Sequence, residues 1–174
     1  MALADSSLYA INGQTGNFEW SFGSTDPIYA SPVLDADGSI LFVASSTLYK
    51  MSPAGAVIWS VIIGFVRAGS PVIAPNGNIY IGTAFGALFA ISRAGTVLFQ
   101  YSDGCSASLS SPVVAQDNGI VVGCTNGTLF KVTAAGTPVW AVDVGNVPAI
   151  AMGPDGTFFM GTNSATAVAV SSGK

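Results

Sequence analysis

The 174 residues contain no histidine. That removes every Ser-His or Cys-His nucleophile and every histidine-bound metal from consideration. The remaining reactive side chains are two cysteines, nine carboxylates and five cations. The carboxylates mostly occupy turn signals, where Asp serves because its side chain tolerates unusual backbone angles. Asp35-Ala36-Asp37-Gly38 has the opening of a calcium loop. Its sixth position is Ile40 rather than Gly and its twelfth is Ser46 rather than Glu, so the expectation is a hairpin turn. Asn126-Gly127-Thr128 fits a glycosylation acceptor, but its Asn-Gly falls where a hairpin turn belongs. The final Ser171-Ser172-Gly173-Lys174 lacks the glycine of a phosphate loop.

The cations Lys50, Arg67, Arg93, Lys131 and Lys174 stand singly, and the net charge is −4. Nucleic-acid binding needs clustered Lys and Arg to displace counterions, so no nucleic-acid partner is expected. Half the residues are hydrophobic and 8% are charged. The longest apolar run, Ala56 to Val66, is broken by Ser60 and Gly64, so no membrane span is expected. Met1 to Ser6 offers neither a basic region nor an apolar core, so no signal peptide is expected in this stretch. Sheets buried on both faces are the remaining sink for so much apolar surface.

The elements that would carry these side chains are written four times. In Ser70 to Phe99, four short runs rich in Val, Ile, Phe and Tyr are separated by Asn76-Gly77, Ala84-Phe85-Gly86 and Ala94-Gly95. Such runs bounded by Gly and Asn read as an antiparallel meander of four strands. The aromatic ending the unit recurs at Trp20, Trp59, Phe99 and Trp140, at intervals of 39, 40 and 41 residues. Leu8-Tyr9, Leu48-Tyr49, Leu88-Phe89 and Leu129-Phe130 open the third strand, and Gly16, Gly55, Gly95 and Gly136 mark the turn that follows. Asp37-Gly38, Asn76-Gly77, Asn118-Gly119 and Asp155-Gly156 mark the first hairpin. Ser-Pro opens strand one at Ser31, Ser70 and Ser111, with Val147-Pro148 as a degenerate fourth. Five series in phase at a period near forty identify an all-β propeller of four-stranded antiparallel blades.

The expected organisation is one domain over 1–174, with repeat units at about 7–46, 47–86, 87–127 and 128–174. Whole blades fall at about 29–62, 69–101 and 109–144, with partial ones before and after. The tally is seventeen strands where four closed blades need sixteen, because Leu8 to Ile11 and Ala167 to Val170 compete for one slot. Three readings stay open: a segment of a longer array, a closed four-bladed ring, or half of an eight-bladed homodimer in which the N-terminal strands complete the partner's last blade.

Cys105 lies in the loop before strand one of the third blade, and Cys124 ends strand two of that blade. Both therefore sit at one end of the sheet, where a disulfide is open to them. The favoured reading is simpler, since Cys124 takes the slot of Ser45, Thr83 and Thr162 and serves as a small residue there.

Leu8 to Trp20, LYAINGQTGNFEW, resembles the repeat of the PQQ-like β-propeller family, which carries Ala-x-Asp-x-x-x-Gly-x-x-x-Trp after Leu-Tyr. Ala10, Gly16 and Trp20 match, Asn12 replaces the Asp, and Lys50 and Lys131 stand in the Ala slot of later units. The resemblance runs over about residues 7–173. It implies either a quinone-dependent dehydrogenase module or a non-catalytic scaffold of the kind found in outer-membrane assembly. The dehydrogenases need an Asp base, calcium and commonly two adjacent cysteines, whereas Cys105 and Cys124 are nineteen residues apart. The expectation is accordingly no enzyme and no cofactor, but a scaffold binding a protein or peptide partner, with a carbohydrate-binding propeller as a further alternative. A periplasmic or secreted location follows from the resemblance alone. Loops joining strand four to the next strand one emerge on one face and carry Asp26, Tyr29, Phe65, Arg67 and Asp103. Tyr29, Phe65, Arg67 and Asp103 are the candidate partner-binding residues, because exposed aromatics beside Arg contribute most at interfaces.

Overall fold

The structure, a computed structural model, describes residues 6–67, 69–102, 104–147, 149–161 and 167–170. Asp103, Pro148, Thr162 and the Ser171–Lys174 tail singled out above lie outside the described residues. Among the described residues, seventeen strands form five antiparallel sheets. The first sheet is β1 (Ser7–Ile11) with β2 (Phe18–Gly23). The second runs β3 (Val33–Leu34), β4 (Ile40–Ala44), β5 (Thr47–Met51) and β6 (Val57–Ile62). The third repeats this as β7 (Val72–Ile73), β8 (Ile79–Gly82), β9 (Ala87–Ile91) and β10 (Val97–Ser102). The fourth comprises β11 (Val113–Val114), β12 (Ile120–Gly123), β13 (Thr128–Val132) and β14 (Pro138–Asp143). The fifth has β15 (Ala149–Met152), β16 (Phe158–Gly161) and β17 (Ala167–Val170). Each sheet is a simple meander, so these are propeller blades. Among the described residues there is no helix, and hence none long and apolar enough to cross a membrane.

Every whole blade keeps the same register: Ile40 pairs with Met51, Ile79 with Ile91, and Ile120 with Val132. Because side chains alternate across a strand, this register sends Leu41, Tyr80 and Val121 toward the following sheet and their neighbours toward the preceding one. Strands β8 and β12 are buried at every residue, as befits sheets covered on both faces. Four apolar layers result. Leu8 and Phe42 join the first pair of sheets, Leu41 and Ile81 the second, Tyr80 and Val122 the third, and Val121 and Phe158 the last.

Two recurring contacts lock neighbouring blades. The Trp20 Nε1–H donates to the Pro53 carbonyl at 2.9 Å, and the Trp59 Nε1–H to the Arg93 carbonyl at 3.0 Å. Each indole lies across the glycine two residues further on. A Cβ on Gly55 would come within 2.8 Å of Trp20, and one on Gly95 within 2.8 Å of Trp59. Phe99 covers Gly136 in the same way but has no N–H, and there the Tyr80 hydroxyl donates to the Ala134 carbonyl at 3.2 Å instead. Just before the first strand of each whole blade, the Ser31 N–H donates to Ser70 Oγ at 3.1 Å, and the Ser70 N–H to Ser111 Oγ at 3.0 Å. The repeated serine thus bonds one blade to the next.

Asn12 shows why an amide serves in the Asp slot. Its Oδ1 accepts from the N–H groups of Gln14 and Thr15, both at 3.0 Å, which closes the turn to Gly16.

Candidate functional site

Hairpin turns β4–β5, β8–β9 and β12–β13 emerge at the same end of the blades as the segments joining one blade to the next. Three backbone bonds tie these elements together: Ser45 N–H to the Pro27 carbonyl at 3.0 Å, Val66 N–H to the Ser45 carbonyl at 2.8 Å, and Ala84 N–H to the Phe65 carbonyl at 2.8 Å. They set three aromatic rings in a row. Tyr29 and Phe65 meet edge to face, with centroids 6.4 Å apart at 80°, and Phe85 follows at 6.5 Å and 43°. Tyr29 is 57% exposed and Phe85 73%, while Phe65 between them is half-buried.

The candidate partner-binding residues therefore divide. Tyr29 and Phe65 come together, and Arg67 is exposed on the segment that carries Phe65. Asp103 lies outside the described residues. Phe85 was hidden inside a turn signal. The hint was its size, since the corresponding slot of the fourth sheet holds Asn126.

Cys105 and Cys124 lie at this same end and are bonded, with Cα atoms 6.2 Å apart. This corrects the expectation that Cys124 is only a small residue in a repeated slot. The backbones already meet there, because Leu109 bridges Cys124 and the Thr125 N–H donates to the Ser108 carbonyl at 2.9 Å. Gly86 passes directly beneath, and a Cβ on it would collide with the Cys105 carbonyl. The bridge staples a loop to a strand end across a separation of 19 residues. It does not have the form of two adjacent cysteines lying against a quinone.

At the opposite end, Asp35 of the second sheet is buried and bound by two cations. Lys50 Nζ lies 2.8 Å from its Oδ2, and Arg93 of the third sheet donates from Nε to the same oxygen at 3.0 Å and from Nη2 to Oδ1. The Arg93 guanidinium, with Lys50 behind it, holds the Asp35 carboxyl well below the usual carboxylate range, although burial alone would raise it. Asp37 completes the group at 3.3 Å from Lys50. The calcium-like sequence is thus a hairpin turn whose buried carboxylate is already neutralised by side chains. A cleft of about 410 Å³ opens beside Arg93 between Asp35 and Asn76. Its charged walls are spent on each other. Lys131 and Asp117, 2.6 Å apart, repeat the Lys50–Asp37 contact in the fourth sheet.

Comparison with known proteins agrees with this architecture. The sequence profile of the family described as outer membrane protein assembly factor BamB matches residues 44–174. Among solved structures, BamB from Moraxella catarrhalis superposes with a TM-score of 0.79 at 19% identity, over 98% of this chain and 53% of that one. This chain spans about half the length of that relative. A protein of unknown function from Bacteroides caccae superposes with a TM-score of 0.67 at 14% identity, over 97% of this chain and 72% of that one. No curated protein sequence matches.

Proposed function

The chain belongs to the family of the outer membrane protein assembly factor BamB, and from that premise we propose that it is a non-catalytic scaffold holding a protein or peptide partner on its loop-bearing face. The observation that carries this reading is the row Tyr29, Phe65 and Phe85, whose outer rings stand in solvent while backbone bonds fix the segments beneath them. Rigid aromatics give large contact area at small entropic cost, and Arg67, exposed on the segment that carries Phe65, adds a donor fork suited to a carboxylate. The partner that fits is an extended segment offering apolar side chains to the row and an acidic group to Arg67. Support for a scaffold rather than a dehydrogenase comes from the spent charges at Asp35 and from the placement of the cysteine bridge.

Selection of a displayed peptide library on the folded chain tests the proposal. Selected peptides should be apolar and acidic, and should lose about tenfold or more in affinity on the Tyr29→Ser, Phe85→Ser variant. Peptides unaffected by that change would overturn the assignment of the face. Saturable binding of a quinone with calcium would reinstate the enzyme, and a reproducible glycan-array signal the carbohydrate-binding reading.

A further inference from the structure

The row of rings stops at Phe85, and the connector beyond it departs from the pattern. Each hairpin tip donates one backbone bond to the connector passing over it: Ser45 to the Pro27 carbonyl, Ala84 to Phe65 and Thr125 to Ser108. The first two connectors add a ring to the row, Tyr29 and Phe65. The third, from Gly104 to Ser110, holds no aromatic residue and carries Cys105 instead.

Phe85 has little of its own to hold it. The ring is 73% exposed and its ring contact is with Phe65 at 6.5 Å, so its place is set by the turn from Thr83 to Ala87. That turn is gripped from two sides. On one side the Ala84 N–H donates to the Phe65 carbonyl at 2.8 Å. On the other the Leu109 N–H donates to the Thr83 carbonyl at 3.0 Å, and the Cys105 carbonyl lies so close over Gly86 that a Cβ there would collide with it. Leu109 is tied to the fourth sheet by its bridge to Cys124. Cys105 is held differently. Among the described residues, Gly104, Cys105, Ser106 and Ala107 make no backbone–backbone hydrogen bond. What keeps the Cys105 carbonyl over Gly86 is the covalent bond to Cys124, which is buried just after β12.

We infer that the Cys105–Cys124 bridge positions Phe85, so that the loop-bearing face binds its partner in the oxidised chain and weakens when the bridge is opened. The inference rests on the reading of Tyr29, Phe65 and Phe85 as the binding row. A dithiol opens the bridge by passing two electrons and two protons to it, which leaves the Cys105 and Cys124 thiols while the dithiol closes into its own disulfide. The 104–107 segment then has nothing to keep it on Gly86. One side of the grip is loosened, and the Phe85 ring moves out of line with Tyr29 and Phe65. A partner must then order the ring at its own cost, which is subtracted from the affinity.

The test uses the Cys105→Ser, Cys124→Thr variant, and the wild type in excess dithiothreitol, with the library-selected peptides as probe. Opening the bridge should weaken those peptides about tenfold. It should weaken them no further once Phe85→Ser is present, since two changes acting through one ring are not additive. Gly86→Ala is a second route that leaves the bond closed: its Cβ lifts the Cys105 carbonyl off the turn and should weaken the same peptides. Amide hydrogen exchange reads the device without any ligand. With the bridge open, Ala84 and Leu109 should exchange about tenfold faster relative to Ser45 and Val66, which make the corresponding bonds one blade earlier. Equal acceleration of all four amides would overturn the inference, because the bridge would then act on global stability alone. Peptides that respond to Phe85→Ser but not to the open bridge would overturn it and leave the binding row standing. Peptides indifferent to Phe85→Ser would overturn the row and this inference together.

Discussion

The indole of Trp59 lies across Gly95 of the next blade, with three ring atoms within 3.2 Å of where a β-carbon would stand. Gly95 also has φ of 87°, a region L side chains rarely adopt. Gly95→Ala therefore strains the backbone and displaces the ring. It should lower stability by about 2–4 kcal/mol in urea unfolding. Gly64→Ala serves as the comparison, with a φ of 87° but nothing within 4 Å of its Cβ. It should cost only the backbone share.

Trp59→Phe separates stacking from hydrogen bonding. The phenyl still covers Gly95, as Phe99 covers Gly136, but the Arg93 carbonyl loses its donor. The loss should be about 1 kcal/mol, against about 3 kcal/mol for Trp59→Ala, both read from denaturant midpoints.

How far the sequence reaches is visible in these residues. The Trp and Gly series were legible because they recur in phase, and the family resemblance extends the same recurrence. A large aromatic over a small neighbour in the next blade follows from that pattern and is what the structure holds. What does not recur was hidden. Arg93 reaches Asp35 across 58 positions, and the same slot holds Pro53 and Ala134 in the sheets on either side. The Tyr80 hydroxyl replaces a missing indole N–H only where Phe99 stands. Phe85 and the Cys105–Cys124 bridge likewise occur once each. Periodicity reveals the scaffold and is silent about single departures from it, and one of them, Phe85, extends the row that Tyr29 and Phe65 begin.

Acid should act on the fold through Asp35. Its folded carboxyl is held below its ordinary value, so the stabilisation is fully present above the unfolded value near 3.8 and is lost as the pH falls through that value toward the depressed one. Asp37, held down by its hydrogen bonds from Ser39, and Asp117, held down by Lys131, add in the same direction. Urea midpoints should be flat near neutrality and fall below about pH 4. Asp35→Asn should cost about 3 kcal/mol at pH 7 by leaving the buried Lys50 ammonium without its nearer carboxylate, and should flatten the acid limb.

Reduction isolates the staple. Ser45 and Thr83 hold the slot of Cys124 in other blades, so Cys105→Ser, Cys124→Thr keeps the packing and removes the loop constraint. For a loop of 19 residues the loss should be about 3 kcal/mol. Wild type in excess dithiothreitol should unfold at the same denaturant concentration as the double variant in buffer. A reductant effect that persists in the double variant would assign the loss elsewhere.

The row Tyr29, Phe65 and Phe85 is set apart from the core by what its removal costs. Phe85 is 73% exposed and touches Phe65 only through a tilted ring contact, so Phe85→Ser should change stability by no more than about 0.5 kcal/mol. Phe130, fully enclosed in the layer between the third and fourth sheets, is the contrasting case, and Phe130→Ala should cost about 3–5 kcal/mol. A side chain that is large, apolar, exposed and dispensable for folding is what the proposed binding surface requires. If Phe85→Ser instead lowered the denaturant midpoint as far as a core truncation, the ring would belong to the fold, and the row would lose its standing as a place for a partner.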